Sequence, residues 1–160
     1  MTEKSRQFTL TEAAGPVVHA YVDGSCLNNG DPDAVGGIGG VIKFDGEHNS
    51  ETVQSLISLD RRMTSTLAEY TAVLAALERI RVEHSKDVVV HVYSDSEIVV
   101  RQLQGSYRVR KEHLKEACQE TQEFLDEFRE WRIEQRSESD APEIQQADEL
   151  AKEAARGEAR

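Results

Sequence analysis

Cysteine is scarce in this sequence, which limits the chemistry open to it. Cys26 and Cys118 are the only two cysteines among 160 residues, and neither belongs to a CxxC pair of the kind that binds zinc or carries redox chemistry. Two cysteines are also too few for a disulfide framework. We therefore expect both to be reduced thiols.

Long apolar runs are missing as well. No stretch approaches the roughly 20 apolar residues that a membrane span requires, and the first residues, MTEKSRQFTLTEAAG, lack the apolar centre of a signal peptide. We therefore expect a cytoplasmic protein with no membrane partner. Residues 1–15 are polar and lack an apolar period, which predicts a disordered tail ahead of one compact domain over residues 16–157.

Positive charge is in short supply, with 19 Lys and Arg against 30 Asp and Glu and a net charge of -11. Taken alone, this balance argues against a nucleic-acid partner, because phosphate binding normally draws on a basic surface. The objection weakens if several acids bind divalent cations, since bound ions reverse the local field. Arg108, Arg110 and Lys111 form a locally basic stretch that we interpret as a phosphate-facing patch, with a merely solvated basic face as the alternative.

Apolar periodicity and turn residues predict elements in the order βββαβααβα. The predicted strands cover residues 17–22, 39–44, 51–59, 88–93 and 131–134. The predicted helices cover residues 65–83, a short segment ending near Gly105, residues 114–128 and residues 143–156, and Ser65 or Thr66 is the expected cap of the first. Interleaved strands and helices imply an α/β fold with a mixed sheet flanked by helices.

Two segments of the chain look alike, VVHAYVDGS at 17–25 and VVHVYSDSE at 89–97. Each is an apolar strand with an aspartate, Asp23 or Asp95, at its carboxyl end, where open α/β sheets usually bind ligands. If the two strands are parallel neighbours, about 4.8 Å apart, these aspartates converge. Close carboxylates repel unless one is protonated or a cation lies between them, and oxygen-only ligation favours magnesium or manganese.

Two further acids are candidates on weaker grounds. Glu69 is the only charged residue between Leu67 and Leu77, in a helix that is otherwise apolar, and an unpaired buried carboxylate is costly. The alternative is that Glu69 pairs with an arginine or faces a gap open to solvent, but the converging aspartates favour a third metal ligand. Asp148 lies near the start of the last helix, where acids are common because they suit the helix dipole, so local reasoning does not single it out.

Four segments together resemble the motifs of type 1 ribonuclease H, in family order and at family spacing: YVDGSCLNNG with GGIGGVI, TSTLAEYTAVLAALE, VYSDSEIVVRQLQGSY and ADELAKEA. The resemblance covers nearly everything from Val17 to Ala155. The stretch SDSEIVVRQLQGSYRVRKEHL is similar to an archaeal and bacterial subgroup that lacks the extra basic helix and loop of other members. The resemblance implies a ribonuclease H-like fold, with a mixed five-stranded sheet flanked by helices.

The resemblance also implies an endonuclease that hydrolyses the RNA strand of RNA/DNA hybrids and leaves 5′-phosphate and 3′-hydroxyl ends. Two Mg²⁺ or Mn²⁺ ions per site are implied when substrate is bound. Asp23 would bridge both ions, Glu69 and Asp95 would complete the shell of one, and Asp148 that of the other. A non-catalytic hybrid-binding module and a DNA-acting nuclease of the same superfold are the alternatives. We expect a monomer, and binding of double-stranded RNA stays open.

Short polar residues beside the site would contact the hybrid in such an enzyme. The matching positions are Cys26, Asn28 and Asn29 in the glycine-rich loop, and Ser65 and Thr66 ahead of Glu69. Because the 2′-hydroxyl distinguishes RNA from DNA, polar contacts of this kind account for selectivity. A plain turn is the alternative interpretation of Asn28 and Asn29.

The sequence departs from the family near its last helix. Many type 1 enzymes carry a histidine in the loop before that helix and an asparagine four residues before the final aspartate. Here the loop QRSESDAPE has no histidine, Glu138 falls at its place, and Arg136 is close enough in sequence to serve as a cationic substitute. Ile144 replaces the asparagine, so Asp148 lacks one supporting hydrogen bond. We therefore expect a slower enzyme that favours manganese over magnesium.

Overall fold

The computed structural model describes residues 16–58 and 62–157 of the chain. The predicted tail over residues 1–15 and the end of the third predicted strand, Leu59, lie outside the described residues. Within that part of the chain, no helix is both long enough and apolar enough to cross a membrane.

Nine elements follow one another in the predicted order βββαβααβα. The strands are β1 (Val17–Leu27), β2 (Val35–Phe44), β3 (Ser50–Leu56), β4 (Val89–Ser94) and β5 (Glu130–Gln135). The helices are α1 (Ser65–Glu83), α2 (Glu97–Leu103), α3 (Glu112–Leu125) and α4 (Pro142–Ala155).

The strands form one sheet in the order β3-β2-β1-β4-β5. β1, β2 and β3 pair antiparallel, whereas β4 is parallel to β1 and β5 is parallel to β4. The expected mixed five-stranded sheet is therefore confirmed: β2 alone runs opposite to the other four strands, and the parallel neighbours β1 and β4 lie in the interior of the sheet.

β1 and β2 form the first hairpin, and both strands are longer than the sequence predicted. β1 continues past Val22 to Leu27, and β2 begins at Val35 instead of residue 39, with Cys26 opposite Gly36 in the ladder. The prediction was wrong because this part of the hairpin is rich in glycine, which supplies no alternating side chains to reveal a strand. Cys26 consequently lies in a strand and not in a loop.

The two faces of the sheet are covered differently. Val18, Ala20 and Val22 of β1 are fully buried on the face where α1, α2 and α3 build the main core. α4 packs on the opposite face, across β1, β2 and β3. On that face Tyr21 packs in a small second cluster with Tyr93 of β4 and Ile144 of α4. Because strand side chains alternate, Asp23 lies on the same face as Tyr21.

Candidate functional site

The parallel pairing of β1 and β4 brings two aspartates to the same edge of the sheet. Val22 pairs with Ser94, and the next residues along the two strands are Asp23 and Asp95. The convergence of these two residues, predicted from the similarity of their segments, is therefore present in the structure. It depends on the strand register, since a shift by one residue would turn one aspartate to the other face.

Glu69 reaches the aspartates from α1, which lies on the other face of the sheet. α1 begins with Thr64 as its cap, one residue before the predicted cap positions, and the Thr64 hydroxyl accepts the Leu67 N–H at 3.2 Å. One turn later α1 crosses the backbone of Gly24 so closely that a Cβ atom there would lie 2.2 Å from the Ala68 carbonyl carbon. Only a residue without a side chain permits this approach, and the Gly24 N–H donates to the Glu69 carboxylate.

A carboxylate oxygen from each of Asp23, Glu69 and Asp95 lies within 4.8 Å of the other two. Asp23 is only 3% exposed, whereas Asp95 is open to solvent on one side. Within the described residues, Glu69 Oε2 is buried and has no hydrogen-bond partner. A buried carboxylate oxygen without a donor is expensive, so this oxygen is well placed to accept a cation.

The electrostatics of the cluster point the same way. Burial, followed by the negative charges of Glu69 and Asp95, raises the pKa of Asp23 far above its ordinary value. Burial, followed by the charge of Asp95, also raises the pKa of Glu69. Among residues 16–58 and 62–157, no lysine or arginine forms an ion pair with these three acids. The cluster therefore holds protons that a divalent cation would displace.

Asp148 joins the cluster through α4. Asp23 pairs in the ladder with Gly39, where an added Cβ atom would lie 2.2 Å from the Ala147 carbonyl oxygen, so α4 rests directly on the β2 backbone. Asp148 and Asp23 share a side-chain hydrogen bond, which requires a proton on one of the two carboxyls. Lys152 Nζ lies 2.8 Å from Asp148 Oδ2, a contact that we did not predict although the i, i+4 spacing signals it.

The predicted substrate contacts in the first hairpin meet the start of α1. Asn29 Nδ2 donates to Ser65 Oγ at 3.0 Å, and the Ser65 N–H donates to Asn29 Oδ1 at 3.2 Å. Asn28 adopts a left-handed backbone with φ of 57°, as turn residues of its type do. Cys26 is partly buried, and burial raises the pKa of its thiol. The structure therefore joins Asn29 to Ser65, whereas Cys26 is a neutral, partly buried thiol packed against the main core.

The predicted basic patch lies near the same end of α1. One open groove, which we call the basic groove, is lined by Thr66, Ile98, Gln102, Arg108, Arg110, Lys111 and Leu114. Three of these are the cations singled out from the sequence, and Thr66 is a predicted hybrid contact three residues before Glu69. The groove therefore joins the three cations to the first turn of α1.

The loop before α4 is anchored to the sheet. The Arg136 guanidinium lies 5.3 Å from the centre of the Tyr93 ring, and Arg136 Nε donates to Glu134 Oε1 at 2.8 Å. The hydrogen bond to Asp148 is the main cause of the raised pKa of the Lys152 amine, and the charge of Glu138 adds to it. Ile144 is fully buried with Tyr93, so this position gives Asp148 no polar support.

A second group of ligand atoms was missed from the sequence. Atoms of Glu51, Glu83 and His84 lie within 4.8 Å of one another, and His84 Nε2 is 2.7 Å from Glu51 Oε1. The histidines showed no metal-ligand spacing in the sequence because Glu51 is on β3 and the other two residues follow at the end of α1. This group lies apart from the acidic cluster.

A mixed five-stranded sheet with carboxylates at the ends of its central parallel strands defines the ribonuclease H-like class of folds. The model of the family described as reverse transcriptase-like matches residues 21–154. A curated ribonuclease HI of Halobacterium salinarum is 32% identical over 119 residues, which are 74% of this chain and 56% of the relative. The chain thus spans about half the length of this curated relative.

Two solved structures resemble the whole fold. The crystal structure of ribonuclease H1 from the halophilic archaeon Halobacterium salinarum is 27% identical, with a TM-score of 0.76, over 88% of this chain and 98% of the other. LC11-RNase H1 in complex with an RNA/DNA hybrid is 32% identical, with a TM-score of 0.72, over 88% of this chain and 97% of the other. The chain therefore belongs to the reverse transcriptase-like family and, within it, to the ribonuclease HI family.

The connection between α2 and α3 bears on the subgroup. Residues 104–111 alone join the two helices, and they contain no helix of their own. No additional basic helix is inserted there, as the resemblance to the shorter archaeal and bacterial members implies.

Proposed function

We propose that this chain is a ribonuclease H, an endonuclease that hydrolyses the RNA strand of RNA/DNA hybrids and leaves 5′-phosphate and 3′-hydroxyl ends. The convergence of Asp23, Glu69 and Asp95 oxygens within 4.8 Å, with Asp148 hydrogen-bonded to Asp23, carries the proposal. A relative with 32% identity in complex with an RNA/DNA hybrid supports the choice of substrate.

The residues present fit divalent metal ions. All the donors are carboxylate oxygens, the set that suits Mg²⁺ and Mn²⁺. Glu69 Oε2 is buried without a hydrogen-bond partner among the residues that the structure describes, so it can bind a cation. Asp23 would be shared by two ions, Glu69 and Asp95 would hold one, and Asp148 the other. When bound, such ions activate a water nucleophile and stabilise the leaving oxygen of an in-line displacement at phosphorus.

The protein's own contribution is to fix the carboxylates before metal and substrate arrive. The Gly24 N–H orients the Glu69 carboxylate, and the close packing of α1 and α4 on the glycines of the sheet sets the distances to Asp23. Burial of Asp23 lowers the local dielectric, which strengthens its attraction for a cation. Preorganised ligands need no rearrangement at the moment of reaction.

The first hairpin and the start of α1 would hold the hybrid. Asn29 and Ser65 hold each other in place through two hydrogen bonds, and with Cys26, Asn28 and Thr66 they would form the polar surface that contacts the hybrid. Polar groups at this position can contact 2′-hydroxyls, and thereby identify the RNA strand.

Phosphates of the hybrid would lie along the basic groove. Arg108, Arg110 and Lys111 line it together, and phosphate contacts fix the register of a nucleic acid without reading its sequence. This local cation cluster answers the objection raised by the net charge of -11, because the acids nearest the substrate would be neutralised by metal ions.

Arg136 and Glu138 would take the place of the missing loop histidine. The Arg136 guanidinium is anchored on the Tyr93 ring, and the charge of Glu138 acts on the Lys152 amine. A fixed cation and a nearby carboxylate can assist proton transfer or product release, an aid that is worth about 10²–10⁴ in rate when a side chain supplies it fully.

Cleavage of matched duplexes tests the proposed function. End-labelled RNA/DNA, RNA/RNA and DNA/DNA duplexes of one sequence are incubated with the protein and Mg²⁺, Mn²⁺ or a chelator, with Asp23→Asn as the control. We expect only the RNA strand of the hybrid to be cut, with a divalent ion present. Cleavage of DNA would favour the DNA-acting alternative, and binding without cleavage the hybrid-binding module. Cutting of double-stranded RNA would widen the substrate class.

Two further expectations are tested separately. Light scattering of the purified protein tests the expectation that it is a monomer, and cell fractionation tests the expected cytoplasmic location.

A further inference from the structure

One of the four acids already has a cation. Lys152 Nζ lies 2.8 Å from Asp148 Oδ2, and this amine also experiences the charges of Asp23 and Glu138. Within the described residues, no other lysine or arginine pairs with any of the four acids. The charge of the site is therefore asymmetric. A lysine balances the negative charge of Asp148, whereas no such cation balances Glu69 and Asp95 within the described residues.

The geometry allows Lys152 to leave. It lies one helical turn after Asp148 on the same side of α4, and its side chain is 53% exposed, whereas the Asp148 side chain is 18% exposed. A flexible four-carbon stem can carry the amine away while α4 stays in place. Glu138, in the loop before α4, offers the displaced amine another carboxylate.

We propose that Lys152 is a displaceable cation built into the site, which holds Asp148 in the metal-free protein and must be expelled before the second divalent ion binds. The proposal rests on the two-ion function above. A first ion at Asp23, Glu69 and Asp95 meets no competitor. The ion that needs Asp148 competes with a tethered amine, so it binds at higher concentration. Lys152 thus sets the metal concentration at which the site becomes fully loaded.

Because the four carboxylates are already together in the metal-free protein, both ions can be titrated without substrate at raised Mn²⁺ concentration, with free Mn²⁺ followed by electron paramagnetic resonance. Lys152→Gln removes the competing amine. It should lower the free Mn²⁺ concentration at which the second site is half filled about two- to five-fold, the range expected from partly exposed ion pairs. Lys152→Arg retains the cation and should remain near wild type. Lys86→Gln is the matched charge control, because Lys86 is 55% exposed and pairs with Glu127 at 3.3 Å.

Two further variants locate the second ion. Asp148→Asn should abolish binding of the second ion. Glu51→Gln should leave that binding unchanged, because Glu51 belongs to the separate group with Glu83 and His84. An unchanged midpoint in Lys152→Gln, no second ion in either protein, or an equal shift in Lys86→Gln would overturn the proposal. Because no hybrid is present, a failure of the proposed nuclease activity would appear only in the cleavage assay and would not be confused with these results.

Discussion

A Cβ atom added to Gly24 would lie 2.5 Å from the backbone nitrogen of Glu69. The absence of a side chain in β1 therefore determines how closely α1 can bring its carboxylate to Asp23. Backbone atoms cannot move aside as a flexible side chain can, so this contact couples helix packing to the geometry of the candidate site.

Gly24→Ala should damage both stability and metal binding. The new methyl group would push α1 away from β1, which costs about 1–3 kcal/mol in a well-packed interior and separates Glu69 from the aspartates. Urea unfolding measures the first effect, and Mn²⁺ titration the second. Gly40→Ala is the control, because its Cβ atom would meet nothing closer than 3.5 Å. Equal behaviour of the two variants would show that the close approach at Gly24 has no consequence.

The metal-free protein should lose stability as the pH rises. Asp23 and Glu69 have pKa values raised above those of the unfolded chain, mainly by burial, so the native state holds extra protons. The contribution of these extra protons to the free energy of unfolding is complete below pH about 4, the ordinary range of carboxyl pKa values. It is lost as the pH rises through the raised pKa values of the native state. The loss is about 1.4 kcal/mol for each pH unit that separates native from unfolded pKa.

Urea unfolding in a chelator at pH 5 to 8 measures this loss. Asp23→Asn should flatten the pH dependence and raise the free energy of unfolding at pH 8, and Mn²⁺ should stabilise the wild type most at high pH. Stability that increases over this range in the chelator would refute the electrostatic account of the cluster.

The sequence was sufficient for the order of elements and for the convergence of Asp23 and Asp95, because apolar strands and strand-end aspartates are local patterns. The lengths of β1 and β2 were predicted too short, since glycines conceal strand pairing. The pairing of His84 with Glu51 depends on how α1 meets β3, which no local pattern encodes. Asp148 was found only through the resemblance to a family, because an acid in the first turns of a helix is ordinary.

The basic groove should contribute to affinity through counterion release. Neutralising Arg108, Arg110 and Lys111 to Gln should weaken hybrid binding and reduce the slope of log K against log salt by up to about 0.9 per lost phosphate contact. Fluorescence anisotropy between 50 and 200 mM salt measures the slope. Three Gln substitutions at Lys86, Arg129 and Arg132 remove the same charge elsewhere. If both triple variants keep the wild-type slope, the groove is solvated surface.

Catalysis should show no histidine titration. Burial, followed by the charge of His19, lowers the pKa of His91 to about 4, and the other histidines are not among the groups paired with the four acids in the described chain. Single-turnover cleavage at saturating Mn²⁺ should therefore lack an inflection near pH 6.5, and should be faster in Mn²⁺ than in Mg²⁺. An inflection abolished by one histidine substitution would contradict this.

Arg136→Ala tests the loop substitute separately. Loss of the guanidinium should slow single-turnover cleavage about ten-fold or more while hybrid affinity changes little, since general acid-base assistance is worth about 10²–10⁴ when complete. Arg132→Ala removes an exposed arginine of β5 as the control. Equal rates in the two variants would remove Arg136 from the mechanism.

Turnover of Asp23→Asn on an RNA/DNA hybrid decides whether Asp23 holds metal ions for hydrolysis of the RNA strand. We expect a folded variant, at least as stable as wild type in a chelator, whose cleavage in Mg²⁺ and in Mn²⁺ falls to about a thousandth of the wild-type rate or less. A folded variant that retains more than about a tenth of wild-type turnover, or wild-type cleavage that persists in excess chelator, would show that Asp23 does not hold catalytic metal ions.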